Sequence, residues 1–241
     1  MKKIIVTGAN SGLGKSLWEA LQQSPTETEV RALTRSNRRS EIDRAKSLGG
    51  VDTIIHAAFG GQGGYEQFDI EDHYKYVDDN ILLTRELLDI PHKRFIYISS
   101  LVVYETEHNN YKTTKLYCES MVQKLSSNHL ILRCPAILNK HMRKNNLIKI
   151  LDDDTPTLSL TADSTFNYVS DVDITNFIED PNWYGVVDFV SSKNIELGEI
   201  QDMIGKQVHF GKYKFTTPEI KSSYLKESSK QVLQQFIETR K

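Results

Sequence analysis

Short apolar runs alternate with amphipathic stretches along the first 133 residues of the chain. The apolar runs have the length and composition of buried parallel strands. They cover residues 4–6, 30–33, 53–56, 95–99 and 130–133. Between them, apolar residues recur at helical spacing over residues 16–23, 72–88 and 111–125. Strands that alternate with helices predict right-handed crossovers and an α/β fold of the Rossmann type, with a doubly wound parallel sheet.

The pattern loosens after residue 133, where polar loops separate shorter elements. Residues 166–171 predict a short strand and a helix start capped by Ser170 or Asp171, and residues 185–190 predict another strand. We therefore expect a Rossmann core over residues 1–133, to which 164–191 returns. A small C-terminal substrate-binding cap is expected from 134–163 and 192–241. The segment 36–51 leaves little room for an extra strand with its own crossover.

A glycine-rich turn follows the first predicted strand and opens directly into a helix. Backbone N–H groups and the helix dipole at such a turn attract phosphate, and glycine lets the backbone approach it closely. The candidate cofactor-binding residues are Thr7, Gly8, Asn10, Ser11, Gly12, Leu13 and Gly14. The same stretch nearly matches the phosphate loop of NTPases, with Ala9 where that loop has its first glycine. An NTPase also needs a strand that ends in Asp, and neither 53–56 nor 95–100 does.

Candidate catalytic groups stand at the ends of the later strands and at the start of the third helix. Tyr111 and Lys115 share one helical face, where the ammonium favours the phenolate and makes the tyrosine a usable acid or base. The alternative is a surface aromatic residue with a charged neighbour. The serines at 99 and 100 end a strand and suit hydrogen bonding to a substrate oxygen, or else they cap backbone.

The sequence His56-Ala57-Ala58 ends another strand, and its small residues suit a backbone that passes close to a cofactor. We interpret His56 itself as a buried, hydrogen-bonded structural residue and not as a proton shuttle.

Taken in order, these motifs resemble the short-chain dehydrogenases/reductases. The segments H-A-A, S-S-L-V-V-Y, Leu132-Arg133-x-Pro135 and 166–172 resemble, more narrowly, the extended sugar-nucleotide epimerase/dehydratase branch. The resemblance covers roughly residues 1–200. It implies that Tyr111 is the acid/base and that Lys115 is its partner and holds the nicotinamide ribose. By the same resemblance Ser100 is the catalytic serine, Asn80 is the helix asparagine, and Pro135 lies alongside the nicotinamide.

The chain departs from that branch in three ways. Its glycine spacing is that of the shorter, single-domain branch, and Ser100 and Tyr111 are only 11 positions apart. Leu101 and Val102 stand where the dehydratases have an Asp-Glu pair, so sugar-nucleotide dehydration is not expected.

The second predicted strand ends without the acidic residue that binds the adenosine ribose of NAD. Arg35 follows instead, with Arg38 and Arg39 close behind. Guanidinium groups suit the 2′-phosphate of NADP by charge and geometry. The sequence therefore favours NADP(H) over NAD(H), with a solvated basic loop as the alternative.

Composition narrows the class of protein. The chain has 241 residues, 39% of them hydrophobic, and a net charge of -2, which argues against a nucleic-acid-binding or membrane-surface protein. Two cysteines are too few for a disulfide framework or a zinc site, and no metal is expected. The chain starts with a strand and not a signal peptide, which predicts a cytoplasmic location.

The leading hypothesis is an NADPH-dependent ketoreductase that acts on a nucleotide-activated or related keto-sugar through Ser100, Tyr111 and Lys115. An NAD-dependent sugar-nucleotide epimerase is the first alternative, and a non-catalytic NAD(P)-binding protein is the second. The resemblance also implies a homodimer in which helices 72–88 and 111–125 pack on their mates. The apolar stripe of the second helix contains Leu116, Met121, Val122 and Leu125.

Overall fold

A computed structural model describes residues 1–24, 27–61, 70–107, 109–221 and 224–240. The chain divides into two compact units. Unit 1 contains residues 1–133 and 172–187, and unit 2 contains residues 134–171 and 188–241.

Strands and helices alternate through the first half of the chain, as the apolar pattern predicts. The strands are β1 (Lys2–Thr7), β2 (Thr28–Leu33), β3 (Val51–His56), β4 (His92–Ser100), β5 (His129–Cys134), β6 (Ala136–Leu138), β7 (Thr165–Phe166), β8 (Tyr168–Ser170), β9 (Gly185–Asp188) and β10 (Ile195–Glu196). The helices are α1 (Gly12–Gln22), α2 (Arg38–Ser47), α3 (Ile70–Val77), α4 (Leu83–Leu88), α5 (Asn110–Leu125), α6 (Asn146–Asp152), α7 (Asp171–Glu179), α8 (Leu197–Ile204) and α9 (Ser229–Glu238).

Within the described residues, unit 1 is built on a six-stranded sheet in the order β2-β1-β3-β4-β5-β9. The pairs β1–β2, β1–β3 and β3–β4 are parallel. Ile5, Ile54, Phe95 and Ile131 are fully buried, as expected of strands covered on both faces. The Rossmann-type α/β fold predicted from the sequence is confirmed.

The segment between β2 and β3 contains helix α2, which the apolar pattern does not predict. Only Ile42 and Ala45 of this helix are buried, so its apolar face is too narrow to give a periodic signal. In the part of the chain that the structure describes, β2 is the edge strand. This agrees with the prediction that 36–51 leaves little room for another strand and crossover.

The segment that returns to unit 1 is Val172–Val187. The buried Arg94 of β4 ties it down by donating hydrogen bonds to the carbonyl oxygens of Ile178, Asp180 and Trp183, at 2.8, 3.1 and 2.8 Å. The predicted return, 164–191, is longer. Residues 164–171 belong to unit 2, where β7 pairs with β10 and β8 pairs with β6. Residues 188–191 belong to it as well, and Ser191 exchanges hydrogen bonds with Asn167 there.

Unit 2 has a hydrophobic core of its own. Its fully buried side chains include Leu138, Ile150, Leu197, Ile200 and Leu233. Helices α8 and α9 each begin with a capping box, in which Glu196 and Ser228 accept from the backbone of the first turn. The C-terminal segments therefore form an organised unit rather than a tail.

Candidate active site

The glycine turn joins β1 to α1 in a conformation that requires glycine. Gly8 and Gly12 have φ angles of +73° and +55°, in the left-handed region. A Cβ atom at Gly14 would lie 2.5 Å from the carbonyl oxygens of both Thr7 and Gly8. The helix can therefore sit this close to the strand only because residue 14 has no side chain.

The first turn of α1 is open to an anion. Asn10 and Ser11 are exposed, and within the described chain the Ser11 side chain makes no capping hydrogen bond and the first turn contains no acidic residue. A Cβ atom at Gly12 would meet no described atom within 4 Å. Unpaired N–H groups, a favourable helix dipole and open space above the turn fit the pyrophosphate of a dinucleotide.

A chain of hydrogen bonds ties the glycine turn to the end of β3. The Ala58 N–H donates to Thr7 Oγ1 (3.0 Å), which in turn donates to His56 Nδ1 (2.8 Å). His56 Nε2 donates to Thr84 Oγ1 (2.9 Å), whose hydroxyl donates to the Asn80 carbonyl oxygen (2.6 Å). The Thr84 hydroxyl gives its proton to the Asn80 carbonyl oxygen, so His56 Nε2 must be the donor to Thr84. Burial keeps the imidazole neutral, which leaves Nδ1 as the acceptor from Thr7. This supports the structural interpretation of His56, while Ala57 and Ala58 stay half-buried beside the turn.

Complete burial, and then the charges of Lys115 and Arg38, lower the pKa of His56 to about 3. The unfolded chain takes up this proton below its ordinary pKa of about 6.5, so the free energy of unfolding falls as pH falls from about 6.5 towards 3. We expect this histidine to lower the free energy of unfolding by up to about 1.4 kcal/mol for each pH unit of acidification in this range. Urea unfolding of wild type and His56→Gln between pH 4 and 7 measures it, and parallel pH profiles would contradict the assignment.

Asn80 lies in a five-residue π-helical turn, Asp78–Leu82, between α3 and α4. Its side-chain amide donates to the carbonyl oxygens of Gly60 (3.0 Å) and Tyr76 (2.8 Å) and accepts from the Gly60 N–H (2.9 Å). A side chain that bonds the carbonyl four residues earlier is a known cause of such an irregular turn. All of these amide bonds go to backbone. Asn80 therefore holds the backbone of the loop after β3.

Tyr111 and Lys115 come together in the first turns of α5, which Asn109 caps by accepting from the Lys112 N–H (2.8 Å). The buried Lys115 ammonium donates to the Ile98 carbonyl oxygen of β4 (2.9 Å). It lies 5.8 Å from the centroid of the Tyr111 ring and 4.8 Å from that of Phe59. The Phe59 and Tyr111 rings pack edge to face at 4.7 Å. A buried cation thus stands beside the phenol that the sequence predicts as the acid/base.

The two serines at the end of β4 have different surroundings. Ser99 is buried and donates to Glu119 Oε1 at 2.5 Å, whereas Ser100 is half-buried and accepts from the Val102 N–H at 3.3 Å. Because side chains alternate along a strand, anchoring Ser99 inward directs Ser100 to the other side. The geometry supports Ser100, and not Ser99, as the candidate catalytic serine.

Glu119 and Arg133 form a buried network that the sequence interpretation missed. Arg133 donates to both carboxylate oxygens of Glu119, at 2.7 to 3.3 Å, and to the Tyr104 hydroxyl at 2.6 Å. The Glu119 carboxylate raises the pKa of Arg133. The network connects β4, α5 and β5 around the candidate catalytic residues. The partners of Glu119 are 14 and 20 positions away in the sequence, so no local spacing indicates the network.

The predicted 2′-phosphate site contains acidic as well as basic side chains. Arg35 donates to both oxygens of Asp79, from Nε at 3.1 Å and from Nη2 at 2.6 Å. Arg38 is paired with Asp78 at 2.6 Å and with Glu86 at 2.8 Å. The basic loop seen in the sequence is therefore balanced by carboxylates from the π-helical turn and α4.

The remaining predicted residue, Pro135, lies in unit 2 between β5 and β6. No motif indicates the substrate in the segments expected to select it, which are 60–68, 135–166 and 205–224. Of these segments, residues 62–68 and 222–223 lie outside the described residues. Among the residues described, no cluster of three or more His, Cys, Asp or Glu side chains could hold a metal. None of the described helices is long and apolar enough to cross a membrane.

Residues 4–148 match the NAD dependent epimerase/dehydratase family. The chain therefore belongs to this family of enzymes, which use a nicotinamide dinucleotide, as the resemblance in the sequence implied. The glycine turn is therefore assigned to a dinucleotide-binding enzyme and not to an NTPase. No curated protein matches the chain.

Solved structures with the same fold include sugar-nucleotide reductases and epimerases. A dTDP-4-dehydrorhamnose reductase from Bacillus anthracis, in complex with NADP, has a TM-score of 0.80 at 16% identity, with 99% of each chain covered. UDP-N-acetylglucosamine 4-epimerase from Methanobrevibacter ruminantium, in complex with UDP-N-acetylmuramic acid, has a TM-score of 0.78 at 16% identity, with 99% of this chain and 96% of that one covered. UDP-glucuronic acid 4-epimerase from Bacillus cereus, in complex with NAD, has a TM-score of 0.70 at 18% identity, with 99% and 100% covered.

Proposed function

We propose that this protein is an NADP(H)-dependent ketoreductase that acts on a nucleotide-activated or related keto-sugar. The observation that carries the proposal is the pairing of Tyr111 with the buried ammonium of Lys115, which the Ile98 carbonyl oxygen holds at the end of β4. A cation beside a phenol stabilises the phenolate, which a reversible proton donor near neutral pH requires.

The glycine turn would hold the dinucleotide through Gly8, Gly12 and the open first turn of α1. The bound nicotinamide would supply the hydride for the substrate carbonyl carbon. Tyr111 gives its proton to the forming alkoxide, and Ser100 donates a hydrogen bond that orients the same oxygen. Lys115 would hold the nicotinamide ribose and would stabilise the tyrosinate that remains. Leu101 and Val102 are buried and offer no further acid or base for a dehydration.

The NADP(H) preference rests on Arg35, which follows β2 and whose side chain is 67% exposed. We expect Arg35→Ala to weaken NADPH binding about tenfold, because a charged hydrogen bond to phosphate is lost. NADH binding should change by less than about twofold. Fluorescence titration of both dinucleotides gives the two dissociation constants.

The matched control is Arg85→Ala, which removes an exposed arginine of α4 that pairs with Asp89 at 3.0 Å. This variant should bind both dinucleotides like wild type. Equal losses in the two variants would mean that overall charge, and not Arg35, attracts NADPH. A wild type that prefers NADH would overturn the NADP(H) assignment.

An NAD-dependent sugar-nucleotide epimerase is the second candidate. The specific observation in its favour is the bidentate Arg35–Asp79 pair, which occupies the guanidinium expected to bind the 2′-phosphate. Protein that purifies with NAD already bound and interconverts two sugar nucleotides without net oxidation would support the epimerase.

We assign substrate binding to unit 2, which has a hydrophobic core of its own. Support for a nucleotide-sugar substrate comes from family membership and from the UDP-sugar complexes of proteins with this fold.

A homodimer formed through α5 also stays a proposal. Leu116 and Leu125 are 40% and 45% exposed and remain available for a mate. Val122 is fully buried and Met121 packs on the core of unit 1. The predicted apolar stripe is therefore corrected to its two exposed members, because the other two face the sheet.

A further inference from the structure

We propose that Asp79 sets the cofactor preference of this protein by competing with the 2′-phosphate of NADP(H) for Arg35. The inference rests on the proposed function, in which Arg35 meets that phosphate. It adds Asp79 as a residue that weakens NADP(H) binding. The π-helical turn that contains Asp79 is then part of the site that distinguishes NADP(H) from NAD(H).

The first support is the geometry of the pair. Both oxygens of the Asp79 carboxylate accept from Arg35, at 3.1 and 2.6 Å, which is the bidentate arrangement that a guanidinium also offers to phosphate. The same edge of the guanidinium cannot serve both anions at once. A phosphate must therefore displace the carboxylate or bind beside it, against its charge.

The second support is that Asp79 has little freedom to move away. Its side chain is only 13% exposed, whereas that of Arg35 is 67% exposed. A Cβ atom at Gly60 would lie 2.7 Å from Asp79 Cβ, so the aspartate packs directly on the loop after β3. The Asn80 side chain holds Gly60 from both its N–H and its carbonyl oxygen. The carboxylate is thus a fixed charge and the guanidinium is the mobile partner.

The third support is that Arg38, which lies close to Arg35 in sequence, does not replace it. Arg38 is held by Asp78 and Glu86, and its side chain is only 15% exposed. Neutralising Arg35 therefore removes much of the attraction for a phosphate, whereas NADH has no phosphate at this position for Asp79 to repel.

The test compares dissociation constants of NADPH and NADH for wild type, Asp79→Asn and Asp78→Asn by fluorescence titration at low salt. Asp79→Asn keeps the shape of the side chain and removes its charge, so NADPH affinity should rise about three- to tenfold. NADH affinity should stay within about twofold and report that the site is intact. Asp78→Asn makes the same change of charge one residue away, at a 52% exposed side chain, and should shift the ratio less.

A third variant, Asp79→Glu, keeps the charge and should keep the wild-type ratio of the two constants. An unchanged ratio in Asp79→Asn, or an equal shift in Asp78→Asn, would overturn the inference. If Arg35→Ala still lowers NADPH affinity in that case, the proposed function stands and only the role of Asp79 fails. If wild type binds neither dinucleotide, both fail.

Discussion

Replacing Tyr111 with phenylalanine is expected to lower kcat by about 10²- to 10⁴-fold, the usual contribution of a positioned general acid. The phenol is the group that donates the proton, and the substitution removes only its hydroxyl. The ring of residue 111 keeps its edge-to-face packing on Phe59, at 4.7 Å, so the fold and the neighbouring loop are retained. NADPH affinity should change little, because the glycine turn and Lys115 are intact. Steady-state kinetics with a nucleotide-activated keto-sugar, together with NADPH titration, measure both quantities.

Tyr117→Phe is the matched control, since Tyr117 lies on the same helix and is 55% exposed. It should keep wild-type kcat. A Tyr111→Phe enzyme with unchanged kcat would remove Tyr111 from the chemistry and would favour a protein that binds NAD(P) without using this tyrosine.

Replacing Glu119 with alanine is expected to lower the free energy of unfolding by about 3–5 kcal/mol, the cost of leaving one member of a buried ion pair alone. The Glu119 and Arg133 side chains are 3% and 18% exposed, so water solvates the remaining guanidinium poorly. The Ser99 hydroxyl also loses its acceptor. Because this network connects β4 and α5, we expect catalysis to fall as well, with Ser100 less well placed against Tyr111.

Urea unfolding followed by circular dichroism measures the loss. Asp89→Ala is the matched control, since it breaks the exposed Arg85–Asp89 pair and should cost no more than about 1 kcal/mol. Glu119→Gln keeps an acceptor for Ser99 and should recover part of both stability and kcat. A Glu119→Ala protein as stable as Asp89→Ala would show that the network is solvated and does not brace the site.

The sheet could be predicted because its strands carry an unambiguous signal. Residues such as Ile54 and Phe95 lie in apolar runs that only a strand buried on both faces explains. The glycine turn could be located as well, because the φ angles of Gly8 and Gly12 and the crowding at Gly14 require glycine. The sequence alone left the phosphate loop of an NTPase as an alternative for it. Helix α2 was missed because its buried surface is limited to Ile42 and Ala45.

Contacts between residues distant in sequence could not be predicted in the same way. Asp79 and Arg35 are 44 positions apart, and neither carries a local pattern that indicates the other. From the sequence alone, Arg35 is therefore predicted to be available to a phosphate. The fold brings the Asp79 carboxylate to it. Ser99 and Glu119 present the same difficulty, since they meet only when α5 packs on the end of β4. The boundary of unit 1 at Val172 also depends on strand pairs that the sequence does not encode locally.

The measurement that tests the central claim most directly is the amount of NADPH oxidised for each molecule of product formed from a nucleotide-activated keto-sugar. Nicotinamide fluorescence and chromatography of the sugar nucleotide give the two quantities in one reaction. Our account predicts one NADPH oxidised for each alcohol formed by wild type, and no measurable oxidation by Tyr111→Phe over the same time. Conversion of a sugar nucleotide to its epimer with no net loss of NADPH would contradict the ketoreductase and establish the epimerase.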